Sequence, residues 1–116
     1  MSVIQEMHLQ VKQMIEAHDH RDYHHIKSLL SKAAVEGEHR WFTKEKFEKI
    51  CKALNDDMGG CDVIEHVADV KRKSSVFTLW TAKYVNFDDV VLWQFVFDDE
   101  GKVRAMAVDW GEYSAA

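Results

Sequence analysis

The hydrophobic rhythm of the chain changes once, near Cys61. Ahead of it, Val3, Met7, Val11, Met14 and Ile15 recur at the spacing of one helical face, which predicts an amphipathic helix ending around His18. Asp22 precedes a second stripe of Tyr23, Ile26, Leu29 and Leu30, so a second helix follows the polar corner His18-Asp19-His20-Arg21. The segment 33–37 is short and ambiguous. Thr43 suits an N-cap, with Glu45 in the first turn and Phe47, Ile50, Cys51 and Leu54 forming the stripe of a third helix that stops before Gly59-Gly60.

After Cys61 the pattern alternates, and β-branched and aromatic residues dominate. Strands are expected at about 61–72, 75–85, 90–97 and 102–110, and their short polar connections make them antiparallel neighbours. The third strand is apolar on both faces: Val91, Trp93, Phe95 and Phe97 on one, Val90, Leu92 and Val96 on the other, with Gln94 as the exception. Both faces therefore need cover. Helices before strands imply a single α+β domain over residues 1–116, with the helices on one sheet face and a second copy of the chain on the other.

Composition narrows the partners. Hydrophobic residues make up 47% and charged residues 30%, values of a soluble globular protein, and the net charge of −5 repels a phosphate backbone. Nucleic acid is not an expected partner. The N-terminal apolar residues are interrupted every few positions, so neither a signal peptide nor a membrane span is expected, and the chain is assigned to the cytoplasm. Its two cysteines, Cys51 and Cys61, are too few for a disulfide framework and are expected as free thiols.

The three helices, the meander and the ending FDDEGKVRAMAVDWGE, together with the corner EAHDHRDYHHIKSLL, resemble the nuclear transport factor 2-like superfamily, which includes ketosteroid isomerases and SnoaL-like cyclases. The resemblance implies a cone-shaped curved antiparallel sheet wrapped around the N-terminal helices, a cystatin-like roll with an internal pocket. It places Met14, Trp93, Met106, Val108 and Trp110 around a small apolar ligand, and a homodimer on the outer sheet face. The isomerase chemistry does not carry over. Met14 and Trp93 stand where that resemblance would put the tyrosine and the protonated acid, and losing both oxyanion donors removes about 3 kcal/mol each.

Three functions stay open: ligand binding without chemistry, a cofactor-free lyase, isomerase or cyclase, and a dimerisation module. For the enzyme, the candidate base is His66, read by alternation as sharing a face with Ile64, Ala68 and Val70, or Glu36 (with Glu38) on a short first strand that the resemblance implies. The alternative for His66 is a satisfied structural ring. No cofactor is expected. The corner His18, His20, His24, His25 with Asp19 and Asp22 has ligand-type residues but no ligand signature, so no metal site is assigned to it.

Overall fold

The computed structural model describes residues 2–111 and the backbone of residues 114–115. Helix α1 (Val3–Asp19) opens on a capping box, in which the Ser2 hydroxyl accepts from the Gln5 amide and the Gln5 side chain accepts from the Ser2 amide. It buries Met7, Val11, Met14, Ile15, Ala17 and His18, which continues the apolar stripe by one polar residue. It ends in a Schellman pair, Asp22 N–H to Ala17 O at 2.8 Å and Arg21 N–H to His18 O at 3.2 Å. Arg21 occupies the left-handed position at φ 55°, where glycine is usual.

Helix α2 (Tyr23–Leu29) is capped by Asp22, and a one-turn helix α3 (Lys32–Val35) follows. Helix α4 (Lys44–Cys51) takes Thr43 as its cap, and Phe42 packs across the helix start onto Phe47 with ring centroids 6.0 Å apart, a hydrophobic staple. The chain then widens into a π-helix, Lys52–Asp57, that the apolar spacing did not foretell.

Four strands follow as an antiparallel meander in sequence order: β1 (Cys61–Lys71), β2 (Ser75–Tyr84), β3 (Val90–Asp98) and β4 (Val103–Asp109). A two-residue strand, β5 (Ser114–Ala115), pairs with β4. Burial along β3 alternates residue by residue: Val91, Trp93, Phe95 and Phe97 are buried, and their neighbours are half-buried. The inner face, with Trp80, Trp93 and Phe95 fully buried and the two tryptophans edge-on to His8 and His18 of α1, forms the core. Each such side chain contributes roughly 1.5–3 kcal/mol when removed from water, so this face dominates the folding energy. The outer face carries Phe77, Leu79, Leu92, Val96, Ala105 and Ala107, aligned across three strands and only partly covered.

Two sequence readings need correction. Residues 36–39 form a turn and 40–43 an irregular stretch rather than a short strand; Glu36 is the exposed C-cap of α3, its carboxylate 4.0 Å from Lys32 Nζ. Strand β1 does not alternate throughout, because a bulge at Val67 inserts one residue between His66, opposite Trp80, and Ala68, opposite Leu79. His66 thus shares the inner face with Ile64 but not with Ala68 or Val70, which lie across from outer residues.

Candidate functional site

Polar side chains gather at both ends of α1. At its C-terminal end the His18 ring is sealed, and its Nδ1 lies 2.8 Å from the Met14 carbonyl oxygen. A carbonyl only accepts, so Nδ1 carries the proton and Nε2 keeps a free lone pair. That lone pair meets no donor. Burial holds the ring neutral, its pKa lowered to about 4, only partly offset by the Met14 bond.

Three more buried polar atoms without a hydrogen-bond partner belong to Trp93, Tyr84 and Asp19. The Trp93 indole stands edge-on to His18 with centroids 5.0 Å apart, and its Nε1 is unpartnered. The Tyr84 hydroxyl is also unpartnered; the Trp93 N–H lies on its side without reaching hydrogen-bond geometry, and burial pushes the phenol pKa up. Asp19 accepts from the Cys61 amide at 3.0 Å through Oδ2 and leaves Oδ1 bare, with burial raising its pKa above the usual carboxylate range. Burial, with Asp19 next, pushes the Cys61 thiol up to about 12, so it is no nucleophile at neutral pH. The group thus offers an indole donor, two acceptors and a hydroxyl that does either.

The N-terminal half of α1 presents the second cluster. The Val67 bulge turns His66 and Asp69, three residues apart, onto the same face, and α1 lays His8 over them. Both imidazoles approach one carboxylate through Nε2: His8 to Asp69 Oδ2 at 2.8 Å, His66 to Oδ1 at 3.0 Å. The rings lie 4.3 Å apart, and each stands over the edge of Trp80 at 5.1 and 5.0 Å. Behind them, Trp80 Nε1–H donates to Thr78 Oγ1 at 2.8 Å, and Thr78 donates to Asp69 Oδ1 at 2.6 Å. Burial opposes the Asp69 charge, but three donors outweigh it and lower its pKa.

The residues expected to line a hollow are placed as follows. Met14, Trp93 and Val108 are fully buried, Met106 is buried, and Trp110 lies beyond the end of β4, partly buried against the core. None of four clefts among the described residues is lined by any of the five; a cleft of ≈ 390 Å³ at the start of α1 is floored instead by Met7, Val76 and Phe97. Of the corner histidines, His18 turns inward while His20, His24 and His25 are exposed. Among the described residues they do not gather a three-ligand group.

No family model matches the chain, and no curated protein or solved structure matches it. Among the described residues no helix is long and apolar enough to cross a membrane.

Proposed function

We propose that the chain is a small-molecule-binding domain of the nuclear transport factor 2-like kind, with its ligand held inside the sheet at the C-terminal end of α1. The observation that carries this reading is a run of buried polar side chains, in which His18 meets Trp93, Trp93 meets Tyr84 and Asp19 lies near Tyr84, with His18 Nε2 and Asp19 Oδ1 left without a hydrogen-bond partner. A buried polar group without a partner costs roughly 1–3 kcal/mol, so the two bare acceptors, His18 Nε2 and Asp19 Oδ1, favour a site that is completed by something else. The complement is a small, mainly apolar molecule with at least one donor for His18 or Asp19 and one acceptor for Trp93 or Tyr84. Met14 and Val108 supply the apolar wall, Met14 one turn from His18 and Val108 opposite Trp93. In this reading the sheet curls as a cone and the outer apolar face of Leu92, Val96 and Phe77 meets a second copy of the chain.

Native mass spectrometry of the purified protein tests both features in one measurement. The expected spectrum is a dimer carrying one small molecule per chain, released on denaturation, with the added mass lost in His18→Phe and Trp93→Phe. A bare mass in the wild type, with no compound from a fragment library telling wild type from His18→Phe by ligand-observed NMR, would overturn the ligand reading.

An enzymatic version has one observation in its favour. The neutral His18, its Nε2 lone pair oriented by the Met14 bond and its ring edge-on to Trp93, is a fixed proton acceptor that could serve a bound substrate without a cofactor. In this version His18 takes the role first given to His66 or Glu36.

A further inference from the structure

We propose that His8, His66 and Asp69 form a binding site for a divalent transition metal ion of the zinc or iron(II) class, separate from the interior ligand site. Their ligand atoms all lie within 4.8 Å of one another. Around an ion with metal–nitrogen and metal–oxygen bonds of about 2.0–2.2 Å, neighbouring ligand atoms sit roughly 3.0–3.5 Å apart. The present separations of 2.8 and 3.0 Å from each Nε2 to the carboxylate need only a small outward shift.

The donor set suits this class of ion. Two imidazoles and one carboxylate favour zinc, iron(II) and their neighbours over calcium or magnesium, which demand mostly oxygen. Asp69 is held from behind by the Trp80–Thr78–Asp69 chain, an outer-shell support of the kind that fixes a ligating carboxylate. Its single negative charge half-neutralises a divalent ion, and no second carboxylate is needed. Access is open on the other side: the side chains of His8 and His66 are 25% and 35% exposed, and His8 lines a shallow cleft with Gln5, Leu9 and Lys12. Three protein ligands leave a coordination position for water or for an anionic oxygen donor, which Lys12 would attract.

The competing account is a closed hydrogen-bond cluster in which both rings and Thr78 simply donate to Asp69. It satisfies the same atoms without an ion, so only a binding measurement separates the two. Protein dialysed against a chelator is titrated with Zn²⁺ in a calorimeter, and with Co²⁺ while visible absorption is followed. The expected result is one ion per chain, a d–d absorption band for cobalt, and affinity at least tenfold weaker in His8→Ala and in His66→Ala. The triple variant His20→Ala/His24→Ala/His25→Ala should bind like wild type. Circular dichroism of each variant shows whether it has folded. No saturable heat and no cobalt band overturns the proposal, as does binding undiminished in both His8→Ala and His66→Ala, or abolished in the triple variant. The interior ligand reading is untouched by either outcome, since His18 lies ten residues further along α1, about 15 Å at 1.5 Å per residue.

Discussion

His8 and His18 ride on one helix, yet the fold surrounds them in opposite ways. His18 is sealed with a backbone carbonyl for one nitrogen and nothing for the other, so burial acts on it almost unopposed. His8, a quarter exposed, meets a carboxylate shared with His66 and backed by a hydroxyl and an indole, every link of it closed. The two tryptophans beneath them repeat the contrast. Trp80 and Trp93 face each other across β2 and β3, but Trp80 donates its N–H and Trp93 does not. A satisfied network is a structural device that an ion can also use; an unsatisfied one implies a missing partner.

The largest separation of the two ends comes from acid. A histidine whose folded pKa is depressed leaves stability unaffected above its unfolded value of 6.5, and destabilises the fold as pH drops from there to about 4, because the unfolded chain takes the proton first. That shift is worth roughly 3 kcal/mol. Asp19, with a raised pKa, opposes part of the loss at the lower end of the window, while Asp69, with a lowered one, adds its own loss only below its ordinary value of 3.8. Urea unfolding at a series of pH values should therefore show wild type weakening between pH 6.5 and 4, and His18→Phe nearly level over the same range. Equal slopes for the two proteins would show that His18 is not the titrating group.

A smaller effect comes from the indole N–H groups. Trp80→Phe breaks a closed bond to Thr78 and should cost about 1 kcal/mol beyond the lost ring volume, whereas Trp93→Phe removes an unpartnered donor and recovers part of its burial cost. Denaturant midpoints compare the pair directly: Trp93→Phe should be the more stable protein when no ligand is bound. The reverse order would mean that Trp93 Nε1 has a partner in solution.

Much of this fold is legible from spacing, and the reasons are local. Alternation in β3 places Val91, Trp93, Phe95 and Phe97 inward because a strand buried on one side has no other way to sort them, and Thr43 and Asp22 cap helices because their side chains accept from amides three residues on. The clusters are less legible. His66 is singled out by its place among apolar residues, but strict alternation sets Asp69 on the opposite face, and only the Val67 bulge brings the two together. Nothing in the helical pattern marks His8 as their neighbour, because a long-range contact between α1 and β1 leaves no periodicity. The corner histidines draw notice for their density alone, and the one that matters there, His18, does so by turning away from the others into the core.

The weakest perturbation tests whether the turn that closes the His18 end is under strain. Arg21 adopts φ 55° with both Schellman bonds formed, a backbone state that costs a side-chain-bearing residue roughly 1 kcal/mol relative to glycine. Against this, its guanidinium bonds Asp56 at 2.8 Å, but both side chains are about half exposed, and such pairs contribute only about 0–1 kcal/mol. Arg21→Gly removes the strain and the ion pair together, while also loosening the unfolded chain. The net change in the denaturation midpoint should be a slight gain, at most a few tenths of a kcal/mol. Adding Asp56→Ala to Arg21→Gly should then change little more, since the pair is already gone. A loss above about 1 kcal/mol in Arg21→Gly would instead make the Arg21–Asp56 contact, which ties the corner to the π-helix, a true clasp over the buried histidine.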